Sequence, residues 1–188
     1  EVAETISAES GELKIKVVQP GGGIKSNIIT TLYMVLLSLI VALPLGIFGA
    51  IYLTEYAKPG RLVNAIRFAA ECLAGIPSII FGLFGMAFFV VALNFQISLI
   101  SGSLTVAIIL LPVIIRSTEE ALKTVPMAFR EGSLALGATK LQTIFKVVLP
   151  CAVPGIATAV LLSIGRVVGE SAALLLTAGT VAQITANV

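Results

Sequence analysis

The sequence predicts an all-α fold, a polytopic bundle of membrane-spanning helices, on three observations. Hydrophobic residues make up 57% of the 188 and charged residues only 12%, against roughly 45–50% and 25% in soluble domains. The mean hydropathy of +1.07 agrees. The apolar runs are continuous rather than alternating, which favours helices over a β-barrel. Charge is also confined to a few segments: none falls between residues 26 and 54, or between Cys72 and Ile115.

Taken in order, residues 1–25 are polar and mixed in charge, with an alternating LKIKVV and a QPGGG turn signal. They read as an extracytoplasmic segment leading into the membrane domain, 26–188. The first span is predicted over 27–53, with Pro44 and Gly46 inside it, as membrane helices tolerate. Residues 54–72 are polar and read as a loop. The uncharged stretch that follows is too long for one helix, since a span needs about 20 residues. Its weak point is NFQISLISGS. A hairpin is therefore expected, with spans over 73–93 and 99–118, the second beginning at Leu99 or as late as Ser103. A charged loop over 119–146 and a fourth span over 147–165 follow. The uncharged tail 171–188 reads as the opening of a further span. Starting at Glu1 rather than Met, the chain is expected to be a fragment lacking its first and last spans.

Loop charge sets the expected orientation. Lys58, Arg61, Arg67, Arg116, Lys123, Arg130, Lys140 and Lys146 fall on one side, and Lys14, Lys16, Lys25 and Arg166 on the other. The first side is expected in the cytoplasm. On it lies the most informative stretch, EGSLALGATKLQTIFKVVLP over 131–150. Pro126 suits the first turn of a helix, and Gly137 a left-handed residue ending one. Thr139 with Gln142 reads as a capping box opening the next helix. A short helix, a sharp turn and a second helix entering the membrane make an ordered docking element rather than a connector.

That stretch carries a resemblance. Glu131-Gly132-Ser133, three residues, Gly137, nine residues and then Val147-Val148-Leu149-Pro150 match in spacing the E-A-A…G…I-x-L-P pattern of permease subunits of binding-protein-dependent ABC importers. Gly132, Ser133 and Val147 depart from the pattern by conservative steps. The segments GGGIKSNIITTL, LAGIPSIIFGLFG, LLPVIIRSTEEALKTVP and RVVGESAALLLTAG further resemble phosphate-specific importer permeases of the PstA type rather than the PstC-type partner. The resemblance implies the type I (MetI-like) permease fold and import by alternating access. It implies a coupling helix docked in a groove of a cytoplasmic ATPase subunit, formed by Met127, Arg130, Glu131, Gly132, Ser133, Leu134, Ala135, Leu136, Gly137, Ala138, Thr139 and Lys140. It also implies a homologous permease subunit as heterodimer partner, an extracytoplasmic phosphate-binding protein, and residence in a bacterial or archaeal cytoplasmic membrane. No G-x4-G-K-[S/T] occurs, so ATP and Mg are expected on the partner ATPase, no cofactor is expected on this chain, and no nucleic-acid role is implied. Another solute of the same family, such as sulfate, molybdate or an amino acid, is the alternative.

Three further features have two readings each. Arg116, Arg166 and Glu170 are the charges nearest apolar spans. With a span starting at Ser103, Arg116 would lie ~20 Å deep, where an arginine fork suits an oxyanion path. With a start at Leu99 it is an interfacial anchor, and the spacing of four between Arg166 and Glu170 equally suits a simple ion pair on one helix face. The row Gly155, Ala159, Ser163, continued by Gly165 and Gly169, and the row Ala42, Gly46, Ala50 suit close helix packing or a gate. Gly75 and Pro77 suit a bend or hinge at the start of the second span. Cys72 and Cys151 are expected to be packed as small hydrophobes. With no histidine in the chain, triads and metal sites built on that residue are excluded.

Overall fold

The computed structural model describes residues 23–58 and 60–178. The polar start, residues 1–22, and the tail beyond Ala178 lie outside the described residues. The first helix, α1, covers Gly23–Ile51 with Pro44 inside it, and continues into a π-helical turn, Tyr52–Tyr56. Helix α2 covers Arg61–Ala74 and α3 Ser78–Gly85, the latter continuing π-helically over Met86–Ala92. Helix α4 covers Leu99–Lys123 and α5 Met127–Ala135. Helix α6, Lys140–Thr143, a π-helical turn over Ile144–Val148, and α7, Leu149–Gly169, follow without a break. Helix α8 covers Ala172–Thr177.

Among the described residues, three helical stretches are long and apolar enough to cross a membrane: Ile28–Tyr56, Leu99–Lys123 and Lys140–Gly169. A fourth arises if α2 and α3, bent by 99° at their break, count as one. This differs from the sequence reading in four places. The polar segment 54–72 is mostly helical, because Leu62, Ile66, Ala69 and Leu73 fall on one face and Val63, Arg67 and Ala70 on the other, a helical period hidden among charges. The span expected over 73–93 begins at Ser78, since Pro77 disfavours helix in the residue before it and caps α3. Helix α4 starts at Leu99, fixed by a reciprocal Ser98–Ser101 capping box, and runs past residue 118. The charged loop is correspondingly shorter than 119–146, and the last long helix opens at Lys140 instead of Val147.

Helix α4 is the centre. Its Val106, Ala107, Leu110 and Ile114 pack with Val35, Leu39 and Ala42 of α1 and Val167 of α7. Its Ala121 and Leu122 join Ala50 and Ile51 of α1 with Ile144, Val148 and Ala152 of the last long helix. On its other side Ile109 meets Phe81 of α3 and Ala173 of α8. Lipid tails are as apolar as leucine, so close packing, not exclusion of water, holds these faces together. The two small-residue rows allow close approach, as does Gly85 against Thr105. A Cβ at Gly46 would lie 2.5 Å from Ile114 Cγ2, and one at Gly155 would lie 2.5 Å from Ala121 Cβ. Ala42, Ala50, Ala159 and Ser163 are buried, whereas Gly165 and Gly169 face open space.

Most buried hydroxyls are satisfied within their own helices, although Thr54 and Thr118 Oγ1 find no partner among the described residues. Ser38 donates to Met34 O (2.7 Å), Thr105 to Ser101 O (2.8 Å) and Ser163 to Ala159 O (2.8 Å), which lets small polar residues sit inside a bundle without orphaned groups. The large apolar residues point the other way: Leu32, Tyr33, Ile40, Phe48, Leu161 and Leu162 are all exposed. Cys72 and Cys151 are exposed too, and free. Neither is packed as expected, because in this bundle alanine, glycine and serine occupy the close contacts. Gly155→Leu should lower the melting temperature of the detergent-solubilised protein by the overpacking cost of about 1–3 kcal/mol. Gly165→Leu, with nothing within 4 Å, should leave it unchanged.

Candidate functional site

The segment between α4 and the last long helix folds as an elbow. Pro126, in extended conformation (φ −57°, ψ 141°), caps the start of α5, consistent with its missing N–H and fixed φ. At the other end Gly137 has φ +85°. Its N–H donates to Leu134 O (3.0 Å) and that of Ala138 to Ser133 O (3.2 Å), the crossed pair of a Schellman cap. Thr139 then accepts from Gln142 N (3.3 Å), while Gln142 Oε1 accepts from Thr139 N (2.9 Å). Ser133 and Thr143 share a hydroxyl hydrogen bond of 2.9 Å that ties α5 to α6. Both ends of the turn are thus fixed by backbone chemistry.

Helix α5 buries none of its residues. Met127, Phe129, Leu134 and Leu136 are exposed, Leu136 to 91%, as are Glu131, Gly132, Ala135, Gly137, Thr139 and Lys140, with Ser133 and Ala138 half-buried. Met127 and Leu134 lie on one side of α5 and Phe129 and Leu136 on the other, and exposed apolar side chains outside the long apolar helices mark surface for another molecule. Arg130 is the exception. Its side chain is only 12% exposed, and it binds Glu55 Oε1 through Nη2 (2.8 Å) and Nε (3.1 Å). Nη1 donates to Val125 O (2.6 Å) and Nη2 to Leu122 O (2.8 Å). Arg130 therefore anchors the elbow from behind rather than facing outward. Between α5 and the end of α1 lies an open cleft of about 690 Å³, lined in part by Thr54, Glu55, Arg130, Leu134 and Thr143.

The three charged residues near the spans are not brought together. Arg116 lies in the last third of α4 and pairs with Glu71 of α2 and with Glu120 (3.5 Å). Because α4 starts at Leu99, the depth reckoned from Ser103 does not apply. Helices α4 and α7 run antiparallel: Ala121 meets Gly155, while Val106 clusters with Val167. Arg166, next to Val167, thus sits at the opposite end of the bundle. It is half-buried, with no hydrogen bond or ion pair among the described residues. The Arg166–Glu170 pair does not form, because α7 ends at Gly169 and Glu170 is extended (ψ 115°). Glu170 Oε1 instead accepts from Ala173 N (3.2 Å) at the start of α8. Gly75 and Pro77 sit in the 99° bend between α2 and α3.

The family described as binding-protein-dependent transport system inner membrane component matches residues 42–187. The chain belongs to that family. This permease is 41% identical over 161 residues to the phosphate transport system permease protein PstA 1 of Mycobacterium tuberculosis (strain CDC 1551 / Oshkosh), covering 86% of this chain and 53% of the relative. It is 42% identical over 158 residues to the phosphate transport system permease protein PstA of Mycobacterium leprae (84% and 52%). With the probable ABC transporter permease protein YqgI of Bacillus subtilis it shares 38% over 166 residues (88% and 56%). The chain spans about half the length of these relatives. Among solved structures it is similar to the inward-facing methionine transporter MetNI, with TM-score 0.63 and 27% identity, over 78% of this chain and 68% of that one. The expected type I permease fold is therefore the observed one.

Sequence reasoning missed several residues of this permease's site. Glu55 and Tyr56 end α1, and Lys140 Nζ stands 5.0 Å from the Tyr56 ring centroid. Arg67 of α2 reaches Glu119 (2.5 Å) and Leu53 O (3.2 Å), and Lys123 also pairs with Glu119 (3.4 Å). The only signal for the last of these pairs was spacing: Glu119 stands four residues before Lys123. Gly137→Val should strain the left-handed turn by roughly 1–2 kcal/mol and speed amide exchange across residues 133–143. Gly132→Ala, helical and with nothing within 4 Å, should not.

Proposed function

We propose that this chain is the membrane permease subunit of an ATP-driven importer that moves inorganic phosphate across a bacterial or archaeal cytoplasmic membrane, a PstA-type subunit. The observation that carries the reading is the elbow: a rigid, outward-facing apolar helix joined by a fixed corner to a membrane-length helix. The names of the relatives at 41% and 42% identity support phosphate as the solute. A cytoplasmic ATPase subunit holding ATP and Mg would receive the Met127–Leu136 face in a groove. A homologous permease subunit completes the path, and an extracytoplasmic phosphate-binding protein delivers the solute. ATP-driven closure of the ATPases pushes α5 and α6, and the attached α7 turns the bundle between outward- and inward-open states. Arg166, half-buried and without a partner among the described residues, is the better placed of the two arginines to meet a phosphate, since Arg116 is already engaged by two carboxylates. Glu170 follows Arg166 closely and shapes the same end of the path.

A second reading, the same machine carrying another solute, is favoured by the likeness to the methionine transporter MetNI. Proteoliposomes holding the full complex decide between the two. Phosphate-loaded binding protein should stimulate ATP hydrolysis and phosphate uptake, with neither sulfate nor methionine moved; uptake of one of those and not phosphate refutes phosphate as the solute. Arg166→Gln should lower phosphate uptake by roughly tenfold or more, the worth of charge-assisted hydrogen bonds, with the ATPase still co-purifying. Leu136→Asp should abolish that co-purification while membrane insertion persists.

A further inference from the structure

Three cations from three different elements converge on one turn. Arg130 of α5 holds the Glu55 carboxylate through two hydrogen bonds. Lys140 of α6 stands over the Tyr56 ring at 5.0 Å. Arg67 of α2 donates to the Leu53 carbonyl at 3.2 Å. All three targets lie in the π-helical turn Tyr52–Tyr56, which closes with Ala57 N donating to Tyr52 O at 2.8 Å. Such turns are rare and frequently lie at functional sites; of the three π-helical stretches among the described residues, this is the one the three cations meet.

Helix α5 buries no side chain, and a cleft of about 690 Å³ separates it from the end of α1. Force applied to α5 therefore reaches the end of α1 by two routes, the polar struts that bridge the cleft and the apolar cluster that joins Ile144 and Val148, just after α6, to Ala50 and Ile51. The Glu55–Arg130 strut is stiff: the two side chains are 10% and 12% exposed, so water competes weakly, and a guanidinium fork bound through two nitrogens resists rotation. From the same turn, Arg67 passes the connection to α2 and, through Glu119, to α4.

We propose that the π-helical turn Tyr52–Tyr56 is the joint through which the elbow moves α1 and α2, with Glu55 as its positioning residue. The proposal rests on the reading of this chain as a permease driven by a separate ATPase. Breaking the joint should uncouple the machine: the ATPase still docks on the exposed face of α5 and still turns over, but the spans follow poorly.

The test uses the complete complex in proteoliposomes, reading co-purification of the ATPase, phosphate-stimulated ATP hydrolysis, and phosphate moved per ATP. Glu55→Gln should keep the first two and lower the third roughly tenfold, the effect of losing charge-assisted hydrogen bonds. Glu55→Asp should recover part of the ratio, as should the exchange Glu55→Arg with Arg130→Glu. Tyr56→Leu, which leaves the ion pair in place, should lower it by roughly two- to threefold. A Glu55→Gln complex with the wild-type ratio overturns the joint. So does loss of assembly and transport together in both Glu55→Gln and Tyr56→Leu, which would make the turn merely structural. A wild-type complex that moves no solute on ATP hydrolysis fails the permease reading itself, and is told apart because it needs no variant.

Discussion

The guanidinium of Arg130 joins the end of α1, the end of α4 and the start of α5, and the geometry of the elbow depends on it. Its partners are of two kinds. Leu122 and Val125 offer carbonyls where α4 ends, the first also accepting from Val125 N, acceptors that any helix terminus must place somewhere. Glu55 offers a carboxylate that is itself nearly enclosed. Each group would be costly to leave unpaired in that position, and one planar cation answers all three. Lysine could not, since a single ammonium lacks the spread of donors. The exposed apolar face of α5 is thereby held outward without any apolar anchoring of its own.

The bundle above the elbow obeys a different rule. Glycine, alanine and serine share the inner contacts with valine, leucine and isoleucine, while other large apolar residues cover the outer surface. Gly46 and Gly155 let α1 and α7 approach α4 to backbone distance, and serine and threonine hydroxyls close on carbonyls one turn back. Polar attachment at the end and close packing in the spans together give rigid rods on a defined pivot, the mechanical requirement for carrying a push from one face of a membrane to the other.

Much of this was legible in the sequence where local chemistry decides. Gly137, Thr139 with Gln142 and Pro126 specify their turn and caps through φ and backbone hydrogen bonds, so the elbow could be read residue by residue. The small-residue rows pack where the four-residue spacing holds, from Ala42 to Ala50 and from Gly155 to Ser163, but not at Gly165 and Gly169, which leave that face. What failed was governed by tertiary context. Helix α2 was hidden because its charges resemble a loop, and only α4 explains why Arg67 and Glu71 are tolerated there. The inward turn of Arg130 needed Glu55, which lies far away along the chain. The pairing of Arg166 with Glu170 assumed a helix that continues, whereas α7 stops one residue short. The cysteines failed because residue type alone does not say which side of a helix faces the bundle.

The central claim is that the elbow and the end of α1 move as one body. Nitroxide labels at Ala135 and Lys58, both exposed, test it by pulsed electron-resonance distance measurement in the assembled complex. The account predicts the same separation, within the width of the distribution, whether the ATPase subunits are nucleotide-free or held closed by ATP. A shift of several ångströms between those states would contradict it, because α5 would then be moving independently of the turn it is clamped to.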